Sequence, residues 1–94
     1  MAISVTTDPA GQTSTVKFVL PEDIHDGPVS AVGDFNDWRP GAHKLVRRRN
    51  GTRSVSVRIP AGQEIHFRYL GSGGAWFDDS DAHGHDAQGG LLRV

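Results

Sequence analysis

The sequence contains no cysteine, so neither a disulfide nor a thiolate metal site stabilises the fold, and redox chemistry says nothing about the compartment. Its 94 residues leave no room for a second core or for a large catalytic scaffold such as a (β/α)8 barrel. The formal net charge is only −1, which provides no overall attraction to nucleic acid or to an anionic membrane surface. These shortages favour one small domain that depends on its apolar core.

Long apolar runs are also missing. No stretch approaches membrane-spanning length, and the N-terminus lacks the charged start and apolar run of a signal peptide. We therefore expect a cytoplasmic protein that does not engage a membrane. The twelve glycines, by contrast, are numerous for this length and favour a turn-rich β protein over one built from long helices.

Alternation of apolar and polar residues predicts strands along most of the chain. It is clearest in residues 13–20, 52–59 and 64–70, and Asn50-Gly51 predicts a hairpin turn. The complete set of predicted strands is 13–20, 29–32, 43–49, 52–59, 64–70, 75–77 and 91–94. About seven strands and no convincing helix favour an all-β, immunoglobulin-like antiparallel β-sandwich in a single domain.

The two ends of the chain differ in regularity. Residues 1–12 contain Asp8, Pro9 and Gly11, which interrupt regular structure, although Ile3 and Val5 alternate. We expect this N-terminal segment to be flexible or to form a short edge strand, and residues 13–94 to form the sandwich domain. Residues 78–90 are polar and lack periodicity, which predicts a loop before the last strand.

Two charged segments have conspicuous compositions. The segment DDSDAHGHD offers metal-ligand side chains, but its spacing is not typical of a calcium or zinc site, so we expect neither a metal nor another cofactor. The basic run Arg47-Arg48-Arg49, with Lys44 and Arg53 nearby, has no interleaved aromatic residue, and its charges divide between the two faces of a strand and a turn. A solvated hairpin is therefore favoured over a nucleic-acid surface.

Motifs of catalysis are absent as well. The chain has no GxSxG nucleophile elbow and no phosphate-cradling GxxxxGK[ST] loop. Carboxylates for glycoside hydrolysis would have to come from Asp34, Asp37, Asp78 or Asp79, which lie in predicted loops of a domain too small for a deep cleft. We therefore expect a protein that is not an enzyme; the alternative is a fragment of a larger glycoside hydrolase or branching enzyme, whose reaction these residues would not perform.

Both tryptophans, Trp38 and Trp76, lie where a predicted strand meets a turn rich in Asp, Asn or Gly. A tryptophan face can stack on the apolar face of a pyranose ring while neighbouring polar groups bind its hydroxyls. Arg68, like His66, projects from the outward face of its strand and would donate to such hydroxyls if the tryptophans flank that face. Core packing of the tryptophans and solvation of Arg68 stay open as alternatives. Phe35 is expected to pack inward and anchor the loop before Trp38.

Four ordered motifs resemble carbohydrate-binding module family 48: VSAVGDFNDW, the hairpin at Asn50-Gly51, RIPAGQEIHFRYL and AWFDDSDA. That family includes the glycogen-binding domain of the AMP-activated kinase β subunit and the early set domains of isoamylases and glycogen branching enzymes. The resemblance implies an immunoglobulin-like sandwich that binds α-1,4-linked glucan, such as glycogen, starch or malto-oligosaccharide, without catalysis. It implies stacking on Trp38 and Trp76 and a donor at the family's basic position, Arg68, with Asn36 and Gln88 as further hydrogen-bonding groups.

The chain departs from this family just before its last strand. Binding members carry a bulky aliphatic residue, a threonine and an asparagine there, whereas this chain has DAQGG at residues 86–90. Gln88 offers hydrogen bonding, but the aliphatic contact has no counterpart. The alternative is therefore a structural early set domain that has lost sugar binding. Such a domain would dock on a glycan-processing enzyme of the glycoside hydrolase family 13 type, such as an isoamylase or branching enzyme, or would self-associate.

Overall fold

A computed structural model describes residues 2–94; Met1, the first residue of the expected N-terminal segment, lies outside them. The strands are β1 (Ala2–Thr7), β2 (Thr13–Pro21), β3 (Val29–Gly33), β4 (Val46–Arg47), β5 (Thr52–Pro60), β6 (Glu64–Gly71), β7 (Ala75–Phe77), β8 (Gly84–Asp86) and β9 (Gly89–Arg93). Short 3-10 helices, Glu22–Ile24 and Asp34–Asn36, follow β2 and β3, and residues 2–94 contain no α-helix. The region described therefore has no helix with the length and hydropathy that crossing a membrane requires.

The strands form two antiparallel sheets that pack face to face, which confirms the predicted all-β sandwich. The first sheet has the order β1-β2-β5-β4, and the second has the order β3-β6-β9-β8, with β7 pairing with the last part of β6. Alternate side chains of these strands point between the sheets. They form the buried core of Val16, Phe18, Leu20, Val29, Ala31, Leu45, Val57, Ile59, Ile65, Phe67, Tyr69 and Leu92. The intervening residues of β6, including His66 and Arg68, face outward.

Residues 2–94 contain nine strands rather than about seven; the two additional strands are β1, in the N-terminal segment, and β8, in the segment expected to be a loop. Within residues 78–90, β8 pairs with β9 from Gly84↔Leu91 to Asp86↔Gly89. This edge strand has no apolar period because it buries no large side chain, so alternation could not reveal it. The predicted strand 43–49 is also shorter in the structure. Lys44 forms a single antiparallel β-bridge with Ser30 of the second sheet. The next residues form β4, which pairs with β5 of the first sheet, so the chain crosses between the sheets here.

Arg53 is buried, although its position beside the basic run predicted a solvated hairpin. It is only 2% exposed, and its guanidinium group donates to the main-chain oxygens of Glu22, His25 and Gly27. A buried cation is tolerated when hydrogen bonds replace the lost water, and three carbonyl groups do so here. Arg53 thereby ties the connection between β2 and β3 to β5.

A buried tyrosine–carboxylate pair anchors the segment that leads to β8. Asp79 is 0% exposed; its Oδ2 accepts a hydrogen bond of 2.7 Å from the Tyr69 hydroxyl, and its Oδ1 accepts one of 2.9 Å from Asp81 N. His85 Nε2 hydrogen-bonds to Asp79 O at 2.9 Å. The pKa of Tyr69 is raised, mainly because the hydroxyl is buried and secondly because it is hydrogen-bonded to Asp79. The hydroxyl therefore stays protonated and remains a donor. The pair thus attaches the segment before β8 to the core side of β6, and His85 connects β8 to the same segment.

Candidate functional site

A cleft of about 410 Å3 opens on the outward face of the second sheet. It is lined by Asp34, Trp38, Arg68, Trp76 and Gln88, and we call it the tryptophan cleft. These residues come from three places: the loop after β3, the β6–β7 hairpin and the turn between β8 and β9. Four of the five site residues named from the sequence therefore line one cavity, and the fifth, Asn36, does not.

The loop after β3 presents Trp38 through an unusual backbone. Asp37 and Trp38 adopt φ values of 54° and 57°, which are uncommon for residues other than glycine. Trp38 N donates to Gly33 O at 3.0 Å, and the indole Nε1 donates to Asp34 Oδ1 at 3.2 Å. A substituent at Gly33 would lie 2.3 Å from His66 O, so only glycine allows this close approach to β6. The loop therefore holds Trp38 by both its backbone and its ring.

Asn36 lies beneath the loop rather than in the cleft. Its Oδ1 accepts from Gly33 N at 3.0 Å, and its Nδ2 donates to Ala31 O at 3.0 Å and to Nδ1 of His43 at 2.9 Å. Phe35, expected to be the inward anchor, stacks on Phe18 of the core with ring centroids 6.0 Å apart. Both side chains act within the protein and hold the loop against the sandwich.

Trp76 and Arg68 form the opposite wall of the tryptophan cleft. Trp76 is 46% exposed, and the guanidinium carbon of Arg68 lies 5.4 Å from the centre of its ring, within cation–π range. Arg68 Nε donates to Asp78 Oδ1 at 3.0 Å. Within residues 2–94, no hydrogen-bond partner engages the two terminal nitrogens of Arg68, so they are free to donate to a ligand.

Sequence reasoning assigned no role in sugar binding to three residues that organise this site: Asp34, His66 and Asp86. Asp34 Oδ2 accepts from His66 N at 2.8 Å, and Asp86 Oδ1 accepts from Gln88 N at 2.9 Å. The imidazole of His66 lies between the two carboxylates. The hydrogen bond to Asp86 is the main cause that raises the pKa of His66, and the same bond holds the pKa of Asp86 below its usual range. The outward position of His66, two residues from Arg68, was the one available signal.

The glycines of the DAQGG segment allow β9 to pack closely against β6. A Cβ at Gly89 would lie 2.5 Å from Arg68 Cγ and 2.8 Å from Phe67 O, and one at Gly90 would lie 2.9 Å from the Phe67 ring. Gly89 also adopts φ 127°, which side chains disfavour. Packing thus accounts for two residues that stand where binding members of the resembled family carry polar ligands.

We expect Gly89→Ala to destabilise the domain by about 1–3 kcal/mol, because the new methyl group would meet a main-chain oxygen and strain the backbone. Since the same methyl group would displace the Arg68 stem, the variant should also alter the tryptophan cleft. Urea unfolding measures the stability. Gly62→Ala is the matched control, because Gly62 has φ 84° but open space around it. Equal losses in the two variants would contradict the contact argument.

The side chains of the Asp/His-rich segment are dispersed among separate contacts. Asp78 pairs with Arg68, Asp79 is buried against Tyr69, and His83 accepts a hydrogen bond from Arg93 N. Within residues 2–94, no group of three or more histidine, aspartate or glutamate side chains is arranged to hold a metal ion.

Comparison with known proteins relates part of the chain to glucan-branching enzymes. It is 42% identical over 55 residues to the 1,4-alpha-glucan branching enzyme GlgB of Salinibacter ruber, covering 58% of this chain and 9% of that enzyme. It is 44% identical over 57 residues to GlgB of Deinococcus radiodurans, covering 60% of this chain and 8% of the enzyme. It is 32% identical over 54 residues to the 1,4-alpha-glucan-branching enzyme of Oryza sativa, covering 50% of this chain and 7% of the enzyme. No protein-family model matches the chain.

These matches concern only a short segment of each relative. The chain spans less than a tenth of the length of the curated relatives it matches. It is therefore a β-sandwich related to a short segment of much larger branching enzymes.

Proposed function

We propose that this domain is a non-catalytic carbohydrate-binding module that recognises α-1,4-linked glucan in the tryptophan cleft. The observation that carries the proposal is the convergence of two tryptophan rings, a cation with free donors and an amide side chain on one cavity. Sugar sites combine aromatic faces for the ring with a few polar groups for the hydroxyls, and this cleft offers both.

In the proposed mode of binding, successive glucose residues stack on Trp38 and Trp76. The terminal nitrogens of Arg68 donate to hydroxyls, while the amide of Gln88 both donates and accepts. Asn36 is assigned a different role from the one the family resemblance implies. Because its amide is engaged with Ala31, Gly33 and His43, it holds the loop that carries Trp38.

The named relatives support the choice of ligand. Each is a 1,4-alpha-glucan branching enzyme, and the matched segment is a small part of it. A module of this kind would bring a glucan chain near a catalytic domain without taking part in the reaction.

Titration with maltoheptaose, followed by isothermal calorimetry and tryptophan fluorescence, tests this function. A saturable heat and a saturable fluorescence change are expected, because both indoles lie in the cleft. Cellohexaose, with β-1,4 linkages and the same monomer, is the matched control ligand and should bind more weakly. Absence of saturable binding of maltoheptaose would refute the proposal.

A second candidate is a packing domain that docks on a glycan-processing enzyme or on a second copy of itself. It is favoured by the small share of each relative that this chain covers, since such a segment must lie beside much larger parts of the enzyme. Analytical ultracentrifugation of the domain alone and mixed with a glucan branching enzyme distinguishes the two. A stable complex without glucan would support docking, whereas a pure sugar binder should sediment unchanged.

A further inference from the structure

His66 lies on the outward face of β6 between two carboxylates from different loops. Its Nε2 is 2.7 Å from Asp86 Oδ2, and its Nδ1 is 3.4 Å from Asp34 Oδ2. Asp34 belongs to the loop after β3, and Asp86 ends β8. The imidazole therefore connects the loop that carries Trp38 to the end of β8, next to Gln88.

Each carboxylate uses its other oxygen to hold a residue of the cleft. Asp34 Oδ1 accepts from Trp38 Nε1 at 3.2 Å, and Asp86 Oδ1 accepts from Gln88 N at 2.9 Å. The sequence of contacts runs from Trp38 through Asp34, His66 and Asp86 to Gln88. We call this set of five residues the histidine brace.

The protonation state of His66 determines how many carboxylates its ring can hold by hydrogen bonds. An imidazolium ion carries two N–H donors and can serve both carboxylates, whereas neutral imidazole carries one. On neutralisation, one ring nitrogen would direct a lone pair at a carboxylate, which is repulsive. Proton loss therefore removes the ring contact with one carboxylate, and Asp34 at 3.4 Å is the weaker contact. Asp34 then keeps only its hydrogen bond of 2.8 Å from His66 N, which does not orient the carboxylate against the ring.

The other charged groups around the histidine brace lie on β5, β6 and β9, and Arg58 of β5 lines a surface cavity with Asp34 and Glu64. On β6 itself, Glu64 pairs with Arg93 and Arg68 pairs with Asp78. The cross-strand neighbour on β9 is the apolar Leu91. Asp34 and Asp86 therefore dominate the charge that faces the ring.

We propose that His66 is a positioning residue whose charged form holds Trp38 and Gln88 together and makes glucan affinity depend on pH. This inference rests on the proposed function. Malto-oligosaccharides do not titrate near neutral pH, so a pH-dependent affinity would report on the protein.

The direction of the effect follows from the raised pKa of His66. The brace is complete below the ordinary histidine value of about 6.5 and is lost as pH rises through the higher value in the folded protein. On the acid side it fails when Asp86 becomes protonated, below the usual aspartate range. Maltoheptaose affinity should be about two- to fivefold weaker near pH 9 than near pH 6, the range expected for exposed ion pairs.

Two readouts test the brace. Calorimetric titration of maltoheptaose across this pH range measures affinity. In the absence of ligand, NMR follows the signals of the Trp38 indole N–H and the Gln88 backbone N–H. His66→Gln removes the titrating ring. His83→Gln is the matched control, because His83 has no carboxylate partner among residues 2–94. Asp86→Asn is a second variant, in which the pKa of His66 should fall.

The expected result is that both N–H signals move with the midpoint of His66, and that His66→Gln loses the pH dependence while His83→Gln keeps it. An unchanged pH profile in His66→Gln, or Trp38 and Gln88 signals that ignore the His66 titration, would overturn the brace. Absence of sugar binding at every pH, with the N–H signals still coupled, would overturn the proposed function and retain the brace. If His66→Gln fails to fold, Asp86→Asn takes its place. A titration midpoint of His66 that does not fall in Asp86→Asn would then overturn the brace.

Discussion

Replacing Trp76 with alanine is expected to weaken maltoheptaose binding by about 2 kcal/mol, or roughly thirtyfold, as is typical for a central aromatic contact. The ring forms one wall of the tryptophan cleft, and the substitution also leaves the Arg68 guanidinium without the surface it contacts. Because the ring is 46% exposed and lies outside the core, the free energy of unfolding should change by only about 0.5 kcal/mol. Binding and stability therefore separate in this variant.

Calorimetry is the appropriate measurement, since the substitution removes one of the two fluorophores. Val46→Ala is the matched control, because Val46 is likewise exposed, at 52%, but lies on β4 of the opposite sheet. Its affinity should equal that of the unmodified protein. If Trp76→Ala binds maltoheptaose as tightly as Val46→Ala, stacking on Trp76 is excluded and the proposed mode of binding fails.

Replacing Arg53 with methionine is expected to destabilise the domain by about 3–4 kcal/mol, the upper range for single substitutions. Methionine fills much of the same space but donates no hydrogen bond, so the carbonyl groups of Glu22, His25 and Gly27 lose their buried partner. The connection between β2 and β3 should then open to water, which limits the loss. Urea denaturation monitored by circular dichroism gives the free energy of unfolding.

Arg49→Met is the matched control, since Arg49 is exposed in the turn after β4 and should contribute little. Arg53→Lys should fall between the two, because an ammonium group carries the charge but has only three donors on a single nitrogen. A loss below about 1 kcal/mol in Arg53→Met would show that the carbonyl groups find other partners and that the buried cation is not required for stability.

The alternation of the sequence predicted the core because it states directly which side of a strand is apolar. Val16, Phe18, Val57, Ile65 and Phe67 are all buried as this pattern requires. It could not reveal β8, whose Gly-His-Asp sequence has no apolar face, and it assigned no partner to any outward polar residue. Arg53 illustrates the limit: its acceptors lie 26 to 31 positions earlier, in a turn whose path no local pattern describes.

At the candidate site, too, the sequence predicted some residues and only the fold revealed the contacts of others. The family resemblance singled out Trp38, Arg68, Trp76 and Gln88 as binding residues, and their roles remain a prediction. The resemblance also implies that Asn36 bonds to sugar, yet the fold uses that amide beneath the loop. A polar residue type indicates what a side chain can bond to, whereas the tertiary contacts determine which partner it has.

By itself, the sequence determined that this protein is a small all-β sandwich with its apolar side chains between two sheets, since burial with a period of two is a local property. Only the tertiary structure decided that Trp38, Trp76, Arg68 and Gln88 line one cleft and that His66 contacts both Asp34 and Asp86 beside it. His66 and Asp86 are 20 positions apart, and the meeting of such residues depends on strand register and loop path, which the pairing of whole sheets sets.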